Sequence, residues 1–99
     1  MYVMREVLSC RPGKVGALLE KFRRLSSVLE RHGHAPFRLL TDVSGERFWT
    51  VVAETQAESV DAFFDMESQI MGEKEAQEIM AGYHDLVIEG RREIYKLQS

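Results

Sequence analysis

The residues best suited to chemistry in this 99-residue chain are His84 and its neighbour Tyr83. Histidine exchanges a proton near neutral pH and can serve as an axial metal ligand. The spacing places His84 one position from an apolar helical stripe, so its ring could line a cavity between a helix and a sheet. The alternative is a partly buried histidine satisfied by a local hydrogen bond. We take His84 as a candidate catalytic or ligand-binding residue and Tyr83 as a candidate ligand-binding residue.

Trp49 is the only tryptophan, and its ring could stack on a bound molecule. Aromatic side chains more often anchor a core or a dimer interface, so both interpretations stay open. His32 and His34 lie close together, but two histidines fall short of the three or four protein ligands that metals generally need. Cys10 has no histidine or aspartate at an informative spacing, so it is not predicted to be a nucleophile. We predict no metal site and no cofactor.

Arg5 and Arg92 could bind an anionic substrate if both side chains face one cavity. Charged side chains on strands more often face solvent, so that alternative stays open as well. No glycine-rich phosphate loop or common catalytic motif is present.

Composition excludes several classes of partner. The net charge is −3, and no basic run is longer than two residues, so nucleic acid binding is not expected. No apolar run exceeds four residues, whereas a membrane span needs about 20. Arg5 and Glu6 argue against a signal peptide, and the single cysteine fits a reducing compartment. We expect one cytoplasmic domain covering residues 1–99.

The first elements along the chain are a strand and a helix. Residues Tyr2 to Ser9 favour extended backbone, and Pro12 with Gly13 ends the strand. A helix running to about Arg31 follows. Its apolar residues, spaced three or four apart, are Val15, Leu18, Leu19, Phe22, Leu25 and Leu29.

The middle of the chain predicts a β-hairpin with strands at residues 37–43 and 47–54. Thr55 and Glu58 then form a Thr-x-x-Glu pattern, which is typical of a helix start. The helix that follows is expected to end at Gly72.

A third helix is predicted to end at Gly90, before a last strand at residues 91–97. Its apolar residues are Ala76, Ile79, Met80, Tyr83 and Val87. The expected order is β-α-β-β-α-α-β, which is an α+β fold.

Both faces of the third strand are largely apolar. One face holds Phe48, Thr50 and Val52, and the other holds Trp49, Val51 and Ala53. A solvated sheet face would alternate with polar residues, and the helices of so short a chain can cover only one face. An exposed apolar face usually marks an interface, and twofold homodimers are the commonest oligomers. We therefore predict a homodimer that packs sheet against sheet.

Three stretches carry a resemblance to a known superfamily: Arg11–Val15, Phe48–Glu54 leading into Thr55, and Gly90–Tyr95. They resemble the dimeric α+β barrel superfamily, and most closely its NIPSNAP-like and antibiotic-biosynthesis-monooxygenase-like members. The resemblance implies a ferredoxin-like, four-stranded antiparallel sheet with helices on one face. Relatives include cofactor-independent monooxygenases and haem-degrading enzymes that use an asparagine with a tryptophan. This chain contains no asparagine, so the resemblance implies a fold and no specific activity.

The expected function is the binding of a small apolar or aromatic molecule between helices and sheet. One alternative is a cofactor-independent monooxygenase-like enzyme in which His84, Tyr83 and Trp49 converge on one pocket. Another is a non-catalytic interaction module whose interior is filled with side chains. A cavity of several hundred Å³ lined by His84 would separate these alternatives.

Overall fold

A computed structural model, which describes residues 1–99, contains four strands and three α-helices in the order β-α-β-β-α-α-β. The strands are β1 (Tyr2–Cys10), β2 (Arg38–Thr41), β3 (Thr50–Ala57) and β4 (Val87–Lys96). The helices are α1 (Val15–Arg31), α2 (Val60–Met71) and α3 (Lys74–Met80), and a 3₁₀ turn spans Tyr83–Asp85. This arrangement confirms the predicted α+β class.

The four strands form one antiparallel sheet in the order β2-β3-β1-β4. Strand β1 is central and pairs with β3 on one side and β4 on the other. Met4 lies opposite Thr55 and Ile94, and Leu8 lies opposite Val51 and Gly90. This strand order is the ferredoxin-like topology that the resemblance implied.

The core lies between the sheet and the helices. Alternate residues of β1 point into it, so Met4, Leu8 and Cys10 are buried. The apolar face of α1 packs on these residues through Leu18, Phe22, Leu25, Val28 and Leu29. No helix in the structure is both long enough and apolar enough to cross a bilayer.

The third helix is shorter than its apolar spacing predicted, because α3 ends at Met80. Gly82 follows with a φ of 83°, in the left-handed region that residues with a Cβ rarely adopt. Val87 therefore belongs to β4 and not to a helix. Gly90 does not end a helix either, because it lies within β4, where a Cβ would come 2.6 Å from Leu8 Cδ2. Glycine thus lets β4 approach the side chain of Leu8.

The predicted hairpin has a shorter first strand, a second strand that begins and ends three residues later, and a longer loop than expected. The loop covers residues 42–49, and Asp42 Oδ1 closes it by accepting a hydrogen bond of 2.8 Å from Thr50 N. Thr55 does not start α2, since it pairs with Met4 inside the sheet. Ser59 caps α2 instead, and its Oγ accepts a hydrogen bond of 3.0 Å from Ala62 N.

One side chain of α1 holds the end of α3 in place. Lys21 Nζ donates to the carbonyl oxygens of Ile79 and Ala81 at 2.9 and 2.6 Å. The last carbonyls of a helix lack partners within it and carry partial negative charge, which the ammonium group complements. Because Ala81 leads directly into Gly82, this contact also fixes where the 3₁₀ turn begins.

We expect Lys21→Met to lower the free energy of unfolding by about 1–2 kcal/mol, because it removes two charge-assisted hydrogen bonds from a partly exposed site. Urea unfolding followed by circular dichroism measures the change. Lys14→Met is the matched control, since Lys14 is exposed and its side chain does not cap α1. Equal unfolding midpoints for the two variants would contradict the assignment.

Candidate functional site

A cavity of about 260 Å³ lies between the helix-covered face of the sheet and the helices. Of the 17 residues that line it, 13 are hydrophobic. The sheet contributes Leu8 and Ala53, α1 contributes Phe22 and Leu29, and α2 contributes Phe63. The fold therefore places a partly open apolar space between its sheet and its helices.

Four of the five methionines of the chain line this cavity, namely Met4, Met66, Met71 and Met80. Methionine is unbranched and polarisable, so its side chain adapts to irregular shapes and makes favourable contacts with aromatic rings. A wall of this composition can adjust to the shape of an apolar guest.

An ion cluster forms the polar end of the cavity. The Arg92 guanidinium donates through Nε to Glu6 and through Nη2 to Glu67 Oε2, the latter at 2.6 Å. Its central carbon also lies 5.1 Å from the ring centre of Phe63 and 5.7 Å from that of Phe64, within cation–π range. Glu6 and Arg92 are direct cross-strand partners, so the sheet register creates the pair. We call Glu6, Glu67 and Arg92 the ion cluster.

Tyr83 lines the cavity, directly after the left-handed Gly82. Burial raises the pKa of its phenol above the ordinary value of 10.0, and the negative charges of Glu6 and of ionised Cys10 raise it further. The phenol is therefore neutral at physiological pH. A neutral phenol can donate a hydrogen bond to a bound molecule, but it is a poor general base.

The other two predicted site residues lie outside the cavity. His84 is exposed, and its ring meets that of Tyr83 edge-on, with 5.4 Å between the ring centres. Trp49 is 45% exposed and lines a separate depression with Val15 and Thr41. Within one chain the structure thus brings neither His84 nor Trp49 to the cavity that Tyr83 lines.

Trp49 also has an unusual backbone, with a φ of 60°. It is the only residue other than glycine with a positive φ, and it comes immediately before β3. This conformation ends the loop and turns the chain into the strand.

The two remaining histidines contact the helices. His32 Nε2 lies 3.0 Å from Glu73 Oε1, and His34 Nε2 lies 3.0 Å from Gln69 Oε1. These contacts hold the end of α1 against α2 and the start of α3. No group of three or more histidine, cysteine, aspartate or glutamate side chains is arranged to hold a metal ion.

The two arginines considered as anion ligands lie on opposite faces of the sheet. Arg92 lines the cavity, whereas Arg5 Nε donates to Glu54 Oε2 at 2.8 Å on the face without helices. They do not form a joint anion site.

Sequence reasoning missed the two carboxylates of the ion cluster. Glu6 lies between Met4 and Leu8 on the same face of β1. The period-two spacing of a strand was therefore enough to predict a charged residue among core residues. Glu67 gave no such signal, because its partner lies 25 residues away on another element.

Solved structures share this fold. An uncharacterised NIPSNAP domain protein from Burkholderia xenovorans has a TM-score of 0.82 and 14% identity, over 100% of this chain and 96% of that one. A NIPSNAP family protein of unknown function from Agrobacterium tumefaciens has a TM-score of 0.82 and 15% identity, over 98% and 87% of the two chains. A candidate antibiotic biosynthesis monooxygenase from Nitrosomonas europaea has a TM-score of 0.72 and 17% identity, over 100% of both chains.

No protein-family model matches the chain, and no curated protein matches its sequence. Identities this low show the fold alone. They confirm the fold that the resemblance implied, a ferredoxin-like α+β domain shared by NIPSNAP and antibiotic-biosynthesis-monooxygenase-like structures.

We expect the phenol of Tyr83 to titrate above pH 10.0, because burial and the nearby carboxylate disfavour the phenolate. The raised pKa contributes stability that is fully present below pH 10 and is lost as the pH rises through the folded-state pKa. The difference in phenolate absorbance between the wild type and Tyr83→Phe isolates this group. A difference signal that titrates at or below pH 10 would contradict the partly buried position of the ring.

Proposed function

We propose that the protein binds a small, uncharged or weakly polar aromatic molecule in the cavity, and that it does so as a cytoplasmic homodimer. The cavity is the observation that supports binding. Its volume of about 260 Å³ lies just below the range of about 300–1,000 Å³ usual for drug-sized ligands, which suits a compact molecule of one or two rings. A few polar groups at one end, with Tyr83 among them, can orient such a guest.

The geometry favours binding over the monooxygenase-like alternative. Proton transfer needs a base within hydrogen-bond reach of the substrate. The neutral phenol of Tyr83 is a poor base, and the exposed His84 does not line the cavity. The two carboxylates that do line it, Glu6 and Glu67, are engaged in hydrogen bonds with Arg92. The cavity also disfavours the non-catalytic interaction module, whose interior would be filled with side chains.

We expect naphthalenemethanol to bind with a sub-millimolar dissociation constant. The methyl signals of Met4, Met66 and Met80 should shift in an NMR titration of methionine-labelled protein, since these side chains line the cavity. Thr55→Leu should weaken binding at least about tenfold by filling the space. Gln56→Leu is the matched control, because Gln56 is exposed and its side chain points to the opposite face of β3.

Binding is refuted if saturating naphthalenemethanol leaves the methionine signals of the wild type unmoved. Equal affinity of the two leucine variants would instead place the bound molecule outside the cavity.

The homodimer proposal is supported by the outer face of the sheet, which carries no helix. Leu40, Val52 and Val7 lie opposite one another across β2, β3 and β1 and form an apolar row. Leu40 is 41% exposed, and Tyr95 of β4 is 51% exposed on the same face. Apolar side chains on a sheet face that no helix covers usually mark an interface.

The charges on this face largely neutralise one another. Glu54 is only 7% exposed, and its carboxylate pairs with Arg5 at 2.8 Å and with Arg38 at 3.8 Å. Arg91 Nε donates to Glu93 Oε2 at 2.7 Å. Paired charges can be buried against a second copy at a lower cost than isolated ones.

We expect the wild type to sediment at micromolar concentration with twice the chain mass of 11.4 kDa. Val52→Glu should yield monomers, because a twofold axis would bury an unpaired carboxylate from each copy. Val60→Glu is the control, since it adds the same charge at the start of α2, where the helix dipole tolerates it. A monomeric wild type would refute the dimer.

A further inference from the structure

We infer that the ion cluster selects the ligand by charge: the cavity admits uncharged aromatic molecules and rejects aromatic carboxylates, and Glu6 and Glu67 are the residues that decide it. This inference rests on the proposed function, because it concerns the ligand of the same cavity. It reverses the first expectation raised by an arginine in a cavity, namely that the arginine recruits an anion.

The hydrogen bonds of Arg92 already occupy the part of its guanidinium that would bind a carboxylate. Nε and Nη2 form one fork of the guanidinium, and such a fork is what a ligand carboxylate would grip with two parallel hydrogen bonds. In this cavity Nε donates to Glu6 and Nη2 donates to Glu67. The fork is thus already divided between two carboxylates of the protein itself.

Two aromatic rings also lie close to the guanidinium. Phe63 and Phe64 lie against it at 5.1 and 5.7 Å from ring centre to guanidinium carbon. Since both rings belong to α2, as Glu67 does, the helix holds Arg92 in one orientation. An incoming anion could grip this fork with two hydrogen bonds only by displacing Glu6 and Glu67, and the free Nη1 alone offers a weaker contact through a single nitrogen.

The net charge of the ion cluster is negative. One guanidinium and two carboxylates sum to −1, and the other polar residues of the cavity, Thr55 and Tyr83, are neutral. The neighbouring Arg91 is paired with Glu93 and adds no free positive charge. A ligand carboxylate would therefore meet a net negative end in a partly desolvated space, where like charges repel more strongly than in water.

The ion cluster lies where the cavity meets the protein surface. A surface depression adjoins the cavity, and the two share Glu6, Leu8, Tyr83 and Arg92. Glu6 and Arg92 therefore stand between the depression and the apolar space. A ligand hydroxyl at this end can accept a hydrogen bond from the Tyr83 phenol and donate one to a carboxylate, which a ligand carboxylate cannot do.

Two matched probes test the selection, namely naphthalenemethanol, which is uncharged, and naphthoate, which is an anion at neutral pH. Calorimetric titration of the full chain at neutral pH gives both affinities. We expect the alcohol to bind the wild type at least about tenfold more tightly than naphthoate. In Glu6→Gln/Glu67→Gln, the freed Arg92 should improve naphthoate binding at least about tenfold, so that the preference for the alcohol is lost.

Glu20→Gln/Glu30→Gln is the control for net charge. Both residues are exposed on α1 and do not line the cavity, and the double substitution removes the same two negative charges. It should leave both affinities unchanged. An equal gain in naphthoate binding in this control would show that the overall charge of the protein, and not the ion cluster, sets the preference, and would overturn the inference.

Different results would refute the proposed function and the charge selection. If the alcohol does not bind the wild type, the proposed function fails and the inference falls with it. If the alcohol binds but naphthoate binds equally well, only the inference is overturned. If the double variant no longer binds the alcohol either, the single variant Glu67→Gln is tested instead, because the side chain of Glu67 is partly exposed on α2. That variant must then bind naphthoate at least about threefold more tightly than the wild type, and no gain overturns the inference.

Discussion

Three helices in a chain of 99 residues cover only one face of a four-stranded sheet, and the rest of the molecule depends on this constraint. The central strand β1 must serve both faces through its alternation. Met4 and Leu8 point to the helices and are buried, while Val3 and Val7 point to the face that has none. The same strand therefore builds the floor of the cavity and the middle of the proposed interface.

The constraint also explains the charges at the edge of the core. Strand β4 lies at one edge of the sheet, and it has fewer contacts with the α-helices than β3 has. The side chain of Arg92 reaches from this edge towards α2 and donates hydrogen bonds to Glu6 and Glu67. A partly buried ion pair contributes little net stability, because desolvation offsets most of the attraction. The cluster therefore adds little to the stability of the fold, which agrees with the role in ligand selection that we propose for it.

The sequence predicted element types well, because the helical spacing of α1 and the alternation of β1 are strong local signals. It failed where tertiary contacts override spacing. Apolar residues continue at helical spacing from α3 through Tyr83 to Val87, yet the left-handed Gly82 breaks the helix. The break resets the direction of every following side chain, which is why Tyr83 reaches the cavity while His84 is exposed.

The position of Tyr83 shows how a site can depend on contacts outside it. The segment Tyr83–Asp85 contains no buried residue, so little core packing fixes it. Lys21 holds Ala81, two residues before Tyr83, and the backbone N–H of Arg11 donates to Leu86 O at 2.9 Å on the other side. Segments with few buried contacts open at a lower free energy than the core around them. Because α1 and β1 keep the rest of the core closed, an opening of this segment would expose the polar end of the cavity without unfolding the sheet. A segment without buried residues thus lies at the entrance to the proposed binding site.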